Sequence, residues 1–169
     1  IGVRLVGSEM CIRDREKHMK FETNNILLDV NVDSKLSLFK YIASYALSKN
    51  IIDDEQKLVD ALLEREKEVS TGLQDSFAIP HAKADFIKKP TVIFLKLSQP
   101  IQWETFDGKP ISNVFALLVP LKYEGTEHLK MISNIATLLL EEEFTELIKN
   151  TKNINDLEKS ISKAMQGEN

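Results

Sequence analysis

The chain has 169 residues and a formal net charge of −4, with 43% hydrophobic and 28% charged residues. These values fit a single globular domain with a real core, and the lack of a basic stretch argues against nucleic acid as a partner. No apolar run reaches the roughly 20 residues that a membrane-spanning helix needs, so direct membrane insertion is not expected.

The first 18 residues show no periodicity and no capping signal. Residues 6–15 resemble translated vector sequence, whereas Met19 resembles a native start. We therefore interpret residues 1–18 as a non-native N-terminal extension and residues 19–169 as the domain; the alternative is a mobile N-terminal arm. The only cysteine, Cys11, falls in the extension. No disulfide can then form within one chain, and we expect a cytoplasmic protein.

The start of the domain predicts one strand and two helices. Ile26–Val30 is a short apolar run that suits a strand, and residues 34–49 place apolar side chains on one helical face. Asp53 and Gln56 form a capping-box-like start for a second helix, which extends to about Lys67.

A strand that ends at a proline is predicted next. After a turn at residues 70–72, the apolar run Phe77-Ala78-Ile79 predicts a buried strand. Pro80 fixes its own φ and donates no backbone hydrogen bond, so we expect it to end the strand. His81 would then lie on stiff backbone at the strand tip, where open α/β sheets bind ligands.

The second half of the domain predicts two strands and then helices. Residues 91–97 and 114–119 are the strands, separated by a turn at Asp107 and Gly108, and the second strand ends at Pro120. The helical stretches lie near residues 126–139, 142–149 and 154–165. The fold class is therefore α/β: a single domain with a mixed, largely parallel sheet flanked by helices on both faces, with one antiparallel pair at the Asp107 turn.

Three polar residues are candidates for chemistry. His81 is largely neutral yet basic near pH 7, so it can serve as a nucleophile, a base or a ligand, or simply bond a loop. Arg65 follows the buried stripe of its helix, so its head either reaches water or points inward at an anion such as phosphate. His128 falls in the first turn of a helix, where phosphate is attracted and a protonated imidazole is disfavoured; otherwise it is a surface histidine.

The two strands that end in proline bring these residues together if they run parallel. His81 and His128 would then share one edge of the sheet with Arg65, which makes an anion site that contains a nucleophile. There is no phosphate-binding P-loop and no Gly-x-Ser-x-Gly elbow, and the two histidines lack the spacing of a metal site. We therefore expect neither a metal nor a nucleotide cofactor.

Several stretches of the domain together form a specific pattern. The first are Leu63-Glu64-Arg65-Glu66, Ser70-Thr71-Gly72-Leu73 and Ala78-Ile79-Pro80-His81-Ala82-Lys83. Later ones are Pro100-Ile101-Gln102-Trp103, Asp107-Gly108-Lys109-Pro110-Ile111, Leu118-Val119-Pro120 and Gly125-Thr126-Glu127-His128-Leu129. In this order and spacing they resemble the signature of the fructose/mannitol-type enzyme IIA domains of the bacterial phosphotransferase system (EIIA type 2), with the fructose branch closer.

The resemblance implies a phosphocarrier with a mixed sheet flanked by helices. His81 would accept a phosphoryl group from phospho-HPr, Arg65 would stabilise that group, and His128 would form hydrogen bonds in the pocket. The phosphoryl group would then pass to a cysteine of a IIB component. Because residues 19–169 hold no cysteine, we expect that IIB component to act in trans. Two alternatives stay open: a regulatory, nitrogen-type enzyme IIA, and a non-catalytic α/β interaction domain with structural histidines.

Overall fold

The computed structural model describes residues 25–122 and 126–166. The predicted boundary between an extension and the domain, at residue 18, lies outside the described residues. The strands are β1 Ile26–Val30, β2 Phe77–Ala78, β3 His81–Ala84, β4 Thr91–Ile101 and β5 Ile111–Pro120. The helices are α1 Lys35–Ser48, α2 Glu55–Glu68, α3 Thr126–Leu138, α4 Glu142–Asn150 and α5 Ile154–Gln166. None of the helices in these two ranges is long and apolar enough to span a bilayer.

The strands form one mixed sheet in the order β1-β4-β5, with β2 and β3 lying end to end beside β5. β1 is parallel to β4, and both β2 and β3 are parallel to β5. β4 and β5 form the antiparallel pair that was expected around the Asp107 turn. The predicted mixed and largely parallel sheet is therefore confirmed.

Helices cover both faces of the sheet because the side chains of its strands alternate between two apolar cores. Ile93 and Ala116 point into a core that α1 and α2 cover. Phe94 and Phe115, with ring centroids 4.9 Å apart, belong to a second core that α3, α4 and α5 cover. The strands can therefore be apolar throughout, as a sheet buried on both faces requires.

The starts of the first two helices are capped by side chains. Ser34 and Ser37 form a reciprocal capping box at α1. At α2 the cap is Asp54, whose carboxylate accepts the Lys57 backbone N–H at 3.3 Å, so the prediction of Asp53 was wrong by one residue. Asp53 instead forms an ion pair with Lys88 at 2.6 Å.

The strand before Pro80, β2, ends at Ala78, but the prediction that His81 lies at the tip of a strand was wrong. The chain pairs with β5 again directly after the proline, with His81 opposite Leu117 and Ala84 opposite Pro120. Pro80 lacks an N–H, but its carbonyl still accepts the Leu117 N–H at 3.0 Å, so the proline interrupts the ladder without ending it. His81 therefore opens β3 beside the middle of β5 and not at the level of Pro120.

Candidate active site at His81

A short hairpin leads the chain from the end of α2 to His81. Gly72 bridges to Ala78 in antiparallel fashion, and the Phe77 N–H closes the turn on the Gln74 carbonyl at 3.2 Å. Residue 72 has no room for a side chain, because a Cβ would overlap the Glu104 carbonyl and approach Trp103 Cδ1 to 2.7 Å. The hairpin therefore packs tightly against residues 103–105.

The tip of this hairpin has an unusual backbone conformation. Asp75 and Ser76 both have positive φ, at 58° and 71°, which is the conformation of a type I′ turn. Two contacts hold the tip. The Asp75 carboxylate forms an ion pair with Lys149 at 2.7 Å, and the backbone N–H of Asp75 donates to the Asp107 carboxylate at 2.9 Å. The segment that leads to His81 therefore starts from a fixed point.

The hydrogen bonds of His81 define the protonation state of its ring. Nδ1 lies 2.9 Å from the Ile79 carbonyl oxygen, which can only accept, so Nδ1 carries the proton. Nε2 accepts a hydrogen bond from Arg65 Nε at 3.0 Å, and a guanidinium can only donate. The ring is therefore the neutral Nδ1–H tautomer, with the lone pair of Nε2 facing Arg65.

The environment favours this neutral form. Burial lowers the pKa of His81 below its ordinary value, and the positive charge of Arg65 lowers it further. The hydrogen bond to Ile79 and the charges of Glu66 and Glu68 raise the pKa, but they do not cancel the effect of burial. His81 is therefore uncharged at neutral pH, and the residue remains partly exposed.

The structure brings two of the three predicted site residues into contact. The guanidinium of Arg65 reaches His81 with Nε and the Val69 carbonyl at the end of α2 with Nη1, at 3.1 Å. Of the two orientations that the sequence left open for Arg65, the one directed at the candidate site is observed. His128 lies in the first turn of α3, but its side chain is outside the described residues, so its role remains a prediction.

Sequence reasoning gave no role to Glu66, whose side chain is only 8% exposed. Its carboxylate accepts hydrogen bonds from Trp103 Nε1 at 2.8 Å, the Thr71 N–H at 3.0 Å and Lys35 Nζ at 3.3 Å. Burial raises the pKa of Glu66, but the bonds from Thr71 and Trp103 and the charge of Lys35 outweigh burial and hold this pKa below its usual value. The available signal was its place directly after Arg65 and shortly before the hydroxyls of Ser70 and Thr71.

Other possible sites lie apart from His81 or are absent from the described part of the chain. A cavity of about 370 Å³ is lined by the hairpin tip, the Asp107 turn and the junction of α3 and α4, and contains neither His81 nor Arg65. Within residues 25–122 and 126–166, no cluster of three histidine, cysteine or carboxylate side chains could hold a metal ion.

Comparisons with known proteins identify relatives of this chain. Residues 19–164 match the model of the family described as "Phosphoenolpyruvate-dependent sugar phosphotransferase system, EIIA 2". The fructose-specific EIIA component of Haloferax volcanii is 35% identical over 113 residues, which cover 67% of this chain and 73% of that protein. The fructose-specific EIIABC component of Mycoplasma pneumoniae is 33% identical over 123 residues, or 73% of this chain, but the match spans only 17% of that protein's length. Among solved structures, nitrogen regulatory protein IIA-Ntr of Neisseria meningitidis has a TM-score of 0.76 and 29% identity, covering 83% of this chain and 95% of that one.

Proposed function

Because the chain belongs to the EIIA 2 family of the phosphoenolpyruvate-dependent sugar phosphotransferase system, we propose that it is a cytoplasmic phosphocarrier of a fructose-type system. It accepts a phosphoryl group from phospho-HPr on His81 and passes it to a cysteine of a IIB component in trans. The observation that carries the proposal is the neutral imidazole, whose Nε2 lone pair faces the guanidinium of Arg65 at 3.0 Å.

The geometry supports attack by Nε2. The lone pair of Nε2 forms the new bond to phosphorus, the donor's phosphorus–nitrogen bond breaks, and its electron pair returns to the donor imidazole. The proton stays on Nδ1, hydrogen-bonded to the Ile79 carbonyl, throughout, so no general base is needed. In the second step the IIB thiolate attacks phosphorus, and the electrons of the breaking bond return to Nε2 of His81.

Arg65 must change partners in this reaction. In the resting site its Nε–H occupies the lone pair that attacks, while Nη1 remains on the Val69 carbonyl. Once Nε2 is bonded to phosphorus it can no longer accept, so the guanidinium turns to the phosphoryl oxygens, for which its planar fork is suited. Positioning and charge neutralisation supply most of the catalysis in phosphoryl transfer, so the proposed reaction requires neither a metal nor a nucleotide.

The surroundings of His81 suit transfer between two proteins. His81 is partly exposed on β3, at the edge of the sheet. Val69, next to the guanidinium, leaves 66% of its surface exposed and offers an apolar contact for a partner. His81 therefore lies where a donor and an acceptor protein can approach it in turn.

The proposal is tested by reconstitution with enzyme I, HPr and phosphoenolpyruvate, followed by candidate IIB proteins. The wild-type chain should acquire an acid-labile label that maps to His81, and His81→Ala should acquire none. His128→Ala, which leaves the nucleophile in place, should still be labelled, but more slowly. Full labelling of His81→Ala would refute the assignment.

A regulatory role is the second candidate, because the similar structure from Neisseria meningitidis is a nitrogen regulatory protein. A regulatory protein would accept phosphate on the same residue but need not pass it on. Transfer of the label to a fructose-type IIB protein supports the transport role. A chain that is phosphorylated on His81 but donates to no IIB protein of this class would favour regulation.

A further inference from the structure

We propose that Glu66 is a positioning residue, which holds the His81 ring in its reactive tautomer through a chain of hydrogen bonds. This inference rests on the proposed function, since it concerns the same imidazole. Glu66 touches no reacting atom; it acts through the backbone of the hairpin that leads to His81.

Three consecutive hydrogen bonds connect Glu66 to the His81 ring. The Thr71 N–H donates to Glu66 Oε1 at 3.0 Å, and the Ile79 N–H donates to the Thr71 carbonyl at 2.9 Å. The Ile79 carbonyl then accepts Nδ1–H of His81 at 2.9 Å. The position of the Glu66 carboxylate therefore sets the position of the carbonyl that, together with Arg65, decides which ring nitrogen is protonated.

Glu66 is a firm anchor because its partners come from several separate segments. Besides the Thr71 N–H, the carboxylate accepts hydrogen bonds from Thr71 Oγ1 at 2.5 Å, Trp103 Nε1 at 2.8 Å and Lys35 Nζ at 3.3 Å. Burying a carboxylate is costly unless its oxygens are satisfied, and a fully satisfied buried network is rigid. Glu66 therefore fastens the hairpin to α2, the helix that also carries Arg65.

Two consecutive residues of α2 thus act on opposite sides of one ring. Arg65 bonds Nε2 directly, and Glu66 fixes the carbonyl at Nδ1 indirectly. If the hairpin shifts, the Nδ1–H bond weakens, and only the hydrogen bond from Arg65 to Nε2 still opposes the Nε2–H tautomer. That tautomer has no lone pair on Nε2, so it cannot attack phosphorus.

The test compares Glu66→Gln with a matched control, Glu64→Gln, which removes the same charge from a side chain on α2 that is 72% exposed. Three quantities are measured: the ring ¹⁵N shifts of His81, the rate of phosphate acceptance from phospho-HPr, and stability in urea. For Glu66→Gln we expect a new Nε2–H population and acceptance slowed on the order of tenfold or more. Glu64→Gln should match the wild type in all three.

Thr71→Val removes one of the Glu66 contacts by a nearly isosteric change and tests the same chain if Glu66→Gln does not fold. It should shift the tautomer ratio in the same direction, but less. Loss of stability with an unchanged tautomer ratio and rate would overturn the proposal, because a purely structural residue behaves in that way. If the wild-type chain does not accept phosphate from phospho-HPr, the proposed function fails, while the ¹⁵N shifts still decide whether Glu66 sets the tautomer.

Discussion

Replacement of Arg65 by methionine should raise the pKa of His81 and yet slow phosphate acceptance. Methionine keeps much of the apolar stem but removes the donor at 3.0 Å from Nε2 and the contact with the Val69 carbonyl. Since the charge of Arg65 lowers the pKa of His81, the pKa of His81 should rise in the variant. The imidazole becomes more basic, and its Nε2 lone pair becomes free.

Phosphate acceptance should nevertheless become slower. A hydrogen bond to a charged group contributes about 1.5–3 kcal/mol. At roughly 1.4 kcal/mol for each factor of ten, loss of one such bond to the transferring phosphoryl group slows acceptance by roughly 10- to 150-fold. The faster attack expected of a stronger base is therefore outweighed by the loss of charge stabilisation.

Rapid-quench measurement of label transfer from phospho-HPr gives the rate, and ring ¹H–¹⁵N spectra across a pH series give the pKa. Lys67→Met is the matched control, because Lys67 is a cation on the same turn of α2 that pairs with Glu64 and is 73% exposed. A rate for Arg65→Met equal to that of the control would refute the role of the guanidinium. A lower pKa of His81 in Arg65→Met would refute the electrostatic argument.

Three further predictions concern the scaffold and pH. Gly72→Ala brings a Cβ to 2.7 Å from Trp103 Cδ1 and should lower the free energy of unfolding in urea by about 1–3 kcal/mol; an unchanged midpoint would contradict the packing described. Lys96→Met removes the donor to the carbonyls at the end of α4 and should cost about 1–3 kcal/mol in thermal unfolding, without an effect on phosphate acceptance. Folding lowers the pKa of His81, so the neutral ring stabilises the folded state. This contribution is complete above pH 6.5, the ordinary pKa of histidine, and is lost as the pH falls through the pKa of the folded state. His81→Gln should abolish this part of the pH dependence of unfolding, and phosphate acceptance by the wild type should fall over the same range.

Much of the fold was predictable because buried strands and helices leave recognisable patterns of apolar residues in the sequence. The apolar runs at 91–97 and 114–119 identified the two central strands, and the turn at Asp107 indicated their antiparallel pairing. The continuation of the edge strand after Pro80 was not predictable, because it depends on the Leu117 N–H of a strand distant in sequence. Local sequence rules show that proline removes a backbone donor, but they do not show that pairing with β5 resumes at His81.

The candidate site was predictable only in part, for a similar reason. The helical stripe placed Arg65 on the inner side of α2, and the resemblance paired it with His81. The tautomer of His81 followed only from two distances, and the anchor at Glu66 depends on partners as distant as Lys35 and Trp103. The place of Glu66 directly after Arg65 in a charged helix does not by itself indicate such a network.

The most direct test of the central claim is to find which atom receives the phosphoryl group. The ¹⁵N-labelled chain is phosphorylated with phosphoenolpyruvate, enzyme I and HPr, and the ring nitrogens of His81 are observed before and after. We expect the Nδ1–H tautomer at the start, and afterwards a phosphorus–nitrogen bond at Nε2 with the proton still on Nδ1. Phosphate on Nδ1 of His81, or on any other residue, would contradict the account.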